Sequence, residues 1–389
     1  MKSIHRIYFK SSDDMSELAD NSIDLVVTSP PYPMIEMWDG IFSNQNNDIG
    51  KALKSGNGAM AFELMHRVLD RVWDELWRVL TPGGIACINI GDATRTIDKQ
   101  FSLYTNHSRI NSYMQKLGFS SLPTILWRKQ TNAPNKFMGS GMMPPGAYVT
   151  LEHEYILILR KGNKREFTSS AAKQNRRESS FFWEERNIWF SDVWMDLKGT
   201  TQSLFDNRSR NRSAAFPFEL PYRLISMFSV KGDTVLDPFF GIGTTMFAAI
   251  AAGRNSTGYE IDRNLQQFTN SKLDGIVDFS NKRIHRRLNN HFEFVENRFN
   301  SKGKFKYKNK NYLFPVMTRQ ELDIIINKVD LIEVIDDNTI ESSYSGAPQS
   351  EFCGQWEGYI ISENDGNPPE SPSKPKRVKA TSKQMDLFN

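Results

Sequence analysis

The chain has 389 residues, 39% hydrophobic and 24% charged, an ordinary globular composition with room for one large α/β core and smaller parts. Its net charge of +4 is compatible with nucleic acid but names no partner by itself. No apolar run approaches the ~18 residues of a membrane span and no signal-peptide pattern opens the chain, so a soluble, cytoplasmic protein is expected. Cys87 and Cys353 are the only cysteines and read as inert thiols, with no metal site expected.

In chain order, residues 4–9 alternate as a strand and 11–21 form a polar connection. The apolar run 23–27 reads as a buried strand and ends in Thr28-Ser29-Pro30-Pro31-Tyr32. Two consecutive prolines fix φ twice and remove two backbone donors, while the residue before each is pushed towards an extended conformation. The result is a stiff segment presenting carbonyl acceptors, a hydroxyl and an aromatic ring. A site handling the exocyclic amine of an extruded base needs those parts.

Residues 33–58 read as a long functional loop carrying Trp38 and Phe42. Phe62, Met65, Leu69, Val72, Trp73, Leu76 and Leu80 recur at three- and four-residue steps and predict an amphipathic helix over 60–80. A turn at 81–84, a strand at 85–90, a helix at 109–117 and strands at 124–127 and 154–159 follow. His153 stands alone and reads as structural. Residues 161–213 mix Arg and Lys with Phe181, Phe182, Trp183, Trp189, Phe190 and Trp194, which on irregular backbone suits a nucleic-acid surface.

An apolar helix after Phe216-Pro217 leads into the strand at 234–237 and the run Asp237-Pro238-Phe239-Phe240-Gly241-Ile242-Gly243-Thr244. Strand, glycine turn and helix start describe a nucleotide-cofactor loop of the doubly wound kind. The short strand 255–259 ends in Glu260, 17 positions beyond Gly243, where an acid suits a ribose diol, and Asp262 lies just after. A third fingerprint glycine and a P-loop lysine are both missing, so S-adenosylmethionine fits better than NAD or ATP. Residues 281–299 are basic and partly helical, and 302–310 alternate Lys304, Lys306 and Lys308 with aromatics. A small α/β piece is expected over 321–335, and the tail from 364 reads as disordered.

Ser-Pro-Pro-Tyr after a strand, with Asp-Pro-Phe-x-Gly-x-Gly-Thr far downstream, resembles the β group of DNA amino methyltransferases over residues 1 to about 270. The Ser29 form is typical of N4-cytosine enzymes; adenine-N6 enzymes more often carry Asp or Asn there. The resemblance implies a circularly permuted α/β S-adenosylmethionine-dependent methyltransferase fold with a seven-stranded, mostly parallel sheet. It implies catalysis by Ser29, Pro30, Pro31 and Tyr32. Cofactor binding falls to Thr28, Asp237, Pro238, Phe239, Gly241, Gly243, Thr244, Glu260 and Asp262.

Three parts are expected: a catalytic domain (1–270) with a target-recognition insertion (161–213), a basic DNA-contacting extension (271–360) and the tail (361–389). Arg176, Arg177, Arg208 and Arg210 would read the target, and Lys304, Lys306 and Lys308 would track phosphates. The implied partners are double-stranded DNA and, functionally but not as a stable complex, a cognate restriction endonuclease, the enzyme being monomer or homodimer. A C5-cytosine enzyme is excluded, since neither cysteine follows a proline. An adenine-N6 enzyme of the same fold and a DNA-binding protein without catalysis are the alternatives.

Overall fold

The computed structural model describes residues 1–129, 138–198, 216–354, 356 and 358–361. Among the described residues, ten strands make one sheet: β1 (Lys2–Tyr8), β2 (Ile23–Thr28), β3 (Leu80–Ile90), β4 (Phe119–Arg128), β5 (His153–Lys161), β6 (Val193–Trp194), β7 (Thr234–Asp237), β8 (Asn255–Tyr259), β9 (Val329–Asp336) and β10 (Thr339–Tyr344). Their spatial order is β6-β4-β5-β3-β2-β7-β8-β1-β10-β9. The strands β3, β2, β7, β8 and β1 are mutually parallel, and β5 runs antiparallel between β3 and β4.

The expected seven strands form the middle of this sheet, β4 to β1; the count is corrected to ten by β6 at one edge and β10-β9 at the other. The two-residue β6 is too short to show a period. The β9–β10 hairpin joins the sheet only because β10 pairs with β1, over three hundred positions away in sequence.

Alternation along β2 decides which layer each side chain enters. Val26 faces the helix α3 (Gly58–Val79), whose Met65, Leu69, Trp73 and Leu76 are buried with it. Leu25 and Val27 face the opposite layer, where α7 (Glu219–Phe228) and α8 (Thr244–Ala252) supply Leu220, Leu224, Ala248 and Ala249. Trp73 is fully buried, so it packs rather than stacks on a ligand. No helix among the described residues is long and apolar enough to cross a membrane.

Several expectations are corrected. The stretch 33–58 is largely helical, with α1 (Asp39–Gln45) and α2 (Asn47–Lys54), because Phe42, Ile49 and Ala52 bury one face each against α3. Residues 81–84 are part of β3, which starts directly after α3. The boundary drawn near 270 falls inside a continuous 37-residue helix, α9 (Gln266–Lys302). Residues 322–328 form no helix.

Residues 161–198 also differ from the irregular, aromatic-lined surface expected. They form α5 (Ser170–Glu178) and α6 (Trp183–Trp189), and Phe182, Trp189 and Trp194 are core residues. Phe182 stacks on His291 of α9 with ring centroids 4.1 Å apart and shares a cluster with Tyr312, Phe314 and Ile324. Glu185 accepts two bonds from the guanidinium of buried Arg287, at 2.6 and 2.7 Å, and the Tyr222 hydroxyl accepts a third at 3.0 Å. The described part of the segment expected to read the target is thus packed against α9 and the residues that follow it.

Candidate active site

A cleft of about 740 Å³ opens at the carboxyl ends of β2, β7 and β8, where a doubly wound sheet places its ligands. It runs without interruption from Ser29, Pro30, Pro31 and Tyr32, past Asp237 to Ile242 and Thr244, to Glu260, Asp262 and Leu265. Trp38, Ile41 and Phe42 of the α1 region form another wall. The two motifs, two hundred positions apart, meet because β2 and β7 are paired neighbours with Leu25 opposite Val235.

The cofactor loop is shaped by backbone. Gly241 and Gly243 have φ of 56° and 83°, a region that a side chain would strain. Gly243 opens α8, so the helix N-terminus faces the turn. Beneath the turn lies Phe240; a Cβ on Gly258 would sit 2.1 Å from its ring, which is why that strand position is bare.

Asp237 is buried and accepts from the Thr28 hydroxyl (2.6 Å), the Thr245 hydroxyl (2.6 Å) and the Phe239 amide (3.1 Å). Burial pushes its carboxyl up to about 6 against those three bonds, each of which favours the charged form. Asp237 is therefore the tie between β2, the glycine turn and α8.

Glu260 lies farther along the cleft. Its two oxygens accept from the amides of Gly241 (2.7 Å) and Asp262 (2.8 Å), and burial pushes its carboxyl up to about 7. Each oxygen keeps a lone pair for a further donor. Asp262 accepts from the Asn264 amide at 3.0 Å and caps the short turn after β8.

Of the expected cofactor residues, Asp237, Pro238, Phe239, Gly241, Thr244, Glu260 and Asp262 line the cleft. Thr28 and Gly243 do not. The Thr28 hydroxyl is consumed by Asp237 in full burial, and Gly243 serves as the hinge into α8.

The motif end is held by side chains. Tyr32 donates its hydroxyl to Glu154 (2.9 Å) and accepts from Asn89 (2.9 Å) and from Ser29 (3.2 Å). Asn89 also donates to Glu154 at 2.7 Å, and Lys129 bonds the other Glu154 oxygen at 2.9 Å. Burial, then the Glu154 charge, hold the Tyr32 phenol well above its ordinary range. One ring edge rests on Gly91, where a Cβ would come within 3.0 Å. Behind the motif, buried Asn106, the first residue of α4 (Asn106–Leu117), ties the Pro33 carbonyl to the Gly91 carbonyl, at 3.1 and 2.9 Å.

Asn89, Glu154 and Asn106 escape a reading by motif. The available signal for Asn89 was a lone polar residue near the end of an otherwise apolar strand, whereas Glu154 stands among Glu152 and His153 and gives none.

The DNA-facing candidates divide. Arg176 is exposed over the Phe167 ring, whereas Arg177 is paired with Asp323 at 3.1 Å. Arg208 and Arg210 lie outside the described residues, as does the tail beyond 361. In 304–310 the alternation is real: Phe305 and Asn309 are buried while Lys304, Lys306 and Lys308 are exposed. Cys87 is a buried thiol, and no described cluster of His, Cys, Asp and Glu is arranged to hold a metal ion.

Comparison with known proteins agrees with this geometry. The N6/N4 methyltransferase family, described as DNA methylase, matches residues 23–271. The Type II methyltransferase M.MthZI of Methanothermobacter thermautotrophicus is 52% identical over 88% of this chain and 96% of its own length. M.MjaI of Methanocaldococcus jannaschii, also a Type II methyltransferase, is 49% identical over 69% of this chain and 91% of its own. Among solved structures, a candidate DNA modification methylase of Thermus thermophilus, complexed with S-adenosyl-L-methionine, superposes with a TM-score of 0.54. It is 30% identical and covers 69% of this chain and 94% of its own. With the proline motif and the glycine loop sharing one cleft, this chain belongs to the N6/N4 family of DNA methyltransferases.

Proposed function

We propose that the protein transfers a methyl group from S-adenosylmethionine to the exocyclic N4 of cytosine at a specific site in double-stranded DNA. The observation that carries this reading is the continuous cleft joining the Ser29–Tyr32 segment to the Gly241 turn and Glu260. The fit of the cofactor rests on the same residues: a positive-φ turn at a helix N-terminus and a half-buried carboxylate with lone pairs to spare. Glu260 would take the ribose hydroxyls and Asp237 would keep the turn in shape. The cofactor supplies an electrophilic methyl on a positively charged sulfur.

Everything else falls to the protein. The amine of cytosine is a poor nucleophile, because its lone pair is delocalised into the ring. Ser29 and the Pro30 carbonyl accept its two N–H bonds, which favours a pyramidal nitrogen with its lone pair free. The half-buried Tyr32 ring offers a face to the extruded base, a stacking contact worth about 1–3 kcal/mol. Positioning supplies much of the remaining rate.

The serine at position 29 favours cytosine N4 over adenine N6. Because β2 and its motif precede β7 and its glycine turn in the chain, we read the topology as circularly permuted. The exposed lysine face of 304–308 suits phosphates, and α5 with Arg176 lies in the described part of the segment assigned to target reading. The relatives' Type II class favours a modification role beside a restriction endonuclease, acting without a stable complex, by a monomer or homodimer.

Sequencing DNA from cells expressing the gene, with a readout separating 4-methylcytosine from 6-methyladenine, tests the assignment. Methylcytosine within one short motif is expected; 6-methyladenine there would replace the cytosine reading with the adenine one.

A further inference from the structure

We propose that Glu154 ends a proton relay running from the target amine through the hydroxyls of Ser29 and Tyr32. This rests on reading Ser29 as the residue that holds the amine. A phenol oxygen has two lone pairs and one proton. In Tyr32 both lone pairs are filled, by Asn89 at 2.9 Å and Ser29 at 3.2 Å. The single proton therefore has one direction left, towards the Glu154 carboxylate at 2.9 Å. Asn89 enforces that direction, since its amide bridges the Tyr32 oxygen and Glu154 while its own carbonyl oxygen is buried without a partner.

When the amine nitrogen bonds the methyl carbon, the carbon–sulfur bond breaks and its electron pair stays on sulfur. The nitrogen then carries one proton too many. That proton passes to Ser29 Oγ, the Ser29 proton to Tyr32 Oη, and the Tyr32 proton to Glu154 Oε2. The positive charge on the base and the negative charge on Glu154 disappear together. Glu154 lies beside Lys129, whose side chain is 42% exposed, so the chain ends near water that can take the proton away. The other polar groups around Glu154 are His153 and Tyr155 on its own strand, the Arg128–Glu152 pair, and His107 with Asp92 behind Tyr155.

Single-turnover transfer to duplex DNA, followed against pH with S-adenosylmethionine saturating at every pH so that the Glu260 dependence of cofactor binding drops out, tests the relay. Glu154→Gln should slow transfer about a hundredfold, the lower range for a lost general base. It should also abolish the fall in rate that the wild type shows on the acid side, while Glu154→Asp restores part of both. Tyr32→Phe keeps the ring but interrupts the relay, and should remove the same acid limb. If Glu154→Gln does not fold, that profile decides alone.

A readout without turnover is the ¹³Cζ resonance of Tyr32, identified by its loss in Tyr32→Phe. It should titrate at lower pH in Glu154→Gln, where the neighbouring negative charge is gone. An acid limb that survives in both variants overturns the relay and leaves Glu154 a packing residue. The two readings fail separately: 6-methyladenine in the product overturns only the cytosine assignment, and a surviving acid limb overturns only the relay.

Discussion

The two ends of the cleft are built by different means. At the cofactor end the shape lies in the main chain: two glycines at positive φ, a helix start, and carboxylates whose oxygens are taken by nearby amides and threonine hydroxyls. At the motif end the shape lies in side chains that converge from β2, β3 and β5 on one phenol oxygen. A backbone-built site fails by losing its fold, because its parts also hold the strands together. A side-chain site can lose its chemistry while everything around it stands.

Single changes should separate these behaviours. The largest effect is expected from Ser29→Ala: methyl transfer falls about a hundredfold or more, as befits a lost proton acceptor. Calorimetry should find cofactor affinity and thermal stability nearly those of the wild type. A rate within a fewfold of normal would remove Ser29 from the chemistry and weaken the contrast between the ends.

Asp237→Ala should act oppositely. Two hydroxyls and one amide lose their buried acceptor, at about 1–3 kcal/mol for each group left unpaired. Denaturant unfolding should report a loss on the order of 3 kcal/mol, with cofactor binding falling in step. A stable variant with normal binding would show that the glycine turn holds itself.

Glu260 adds a pH dependence. Its carboxyl is raised by burial from 4.5 to about 7, so between those values the folded protein keeps a proton that the unfolded chain has released. The contribution of Glu260 to stability therefore declines as pH rises from about 4.5 to 7 and stays low above. Cofactor binding has the reverse sign, because ribose hydroxyls donate to the ionised carboxylate. Affinity should rise through pH 7, with a proton released on binding below that value, measurable by calorimetry in buffers of different ionisation enthalpy. Glu260→Ala should cost about 1.5–3 kcal/mol of affinity and flatten that dependence.

Neutralising Lys304, Lys306 and Lys308 together should leave both ends untouched. Binding to all DNA weakens and its dependence on salt becomes shallower, while single-turnover rates at saturating DNA stay normal. Arg176→Ala, by contrast, should alter which sites are methylated. A shifted motif from the lysine changes alone would move target reading to 304–308 and overturn its assignment to the segment of Arg176. Arg177→Ala should do less than Arg176→Ala, since Arg177 is already engaged with Asp323.

What the chain alone made legible follows from the range of the forces involved. Strand 255–259, the helix over 60–80, the glycine turn and the proline segment are set by neighbours a few positions apart, through alternation, helical period and fixed φ. They could be read in order, and with them the layered α/β class. The helices in 33–58 and 161–198 were less visible, because Phe42 and Phe182 become core residues only against α3 and α9, and burial overrides weak local preference.

Only the tertiary structure decided the rest. β10 becomes part of the main sheet because β1 offers it a free edge, and no local pattern announces such a pairing. Glu154 joins Tyr32 across 122 positions of sequence because β2, β3 and β5 lie side by side. A hydrogen bond is fixed by two atoms within about 3 Å, and nothing along the chain records which distant residue will supply the second.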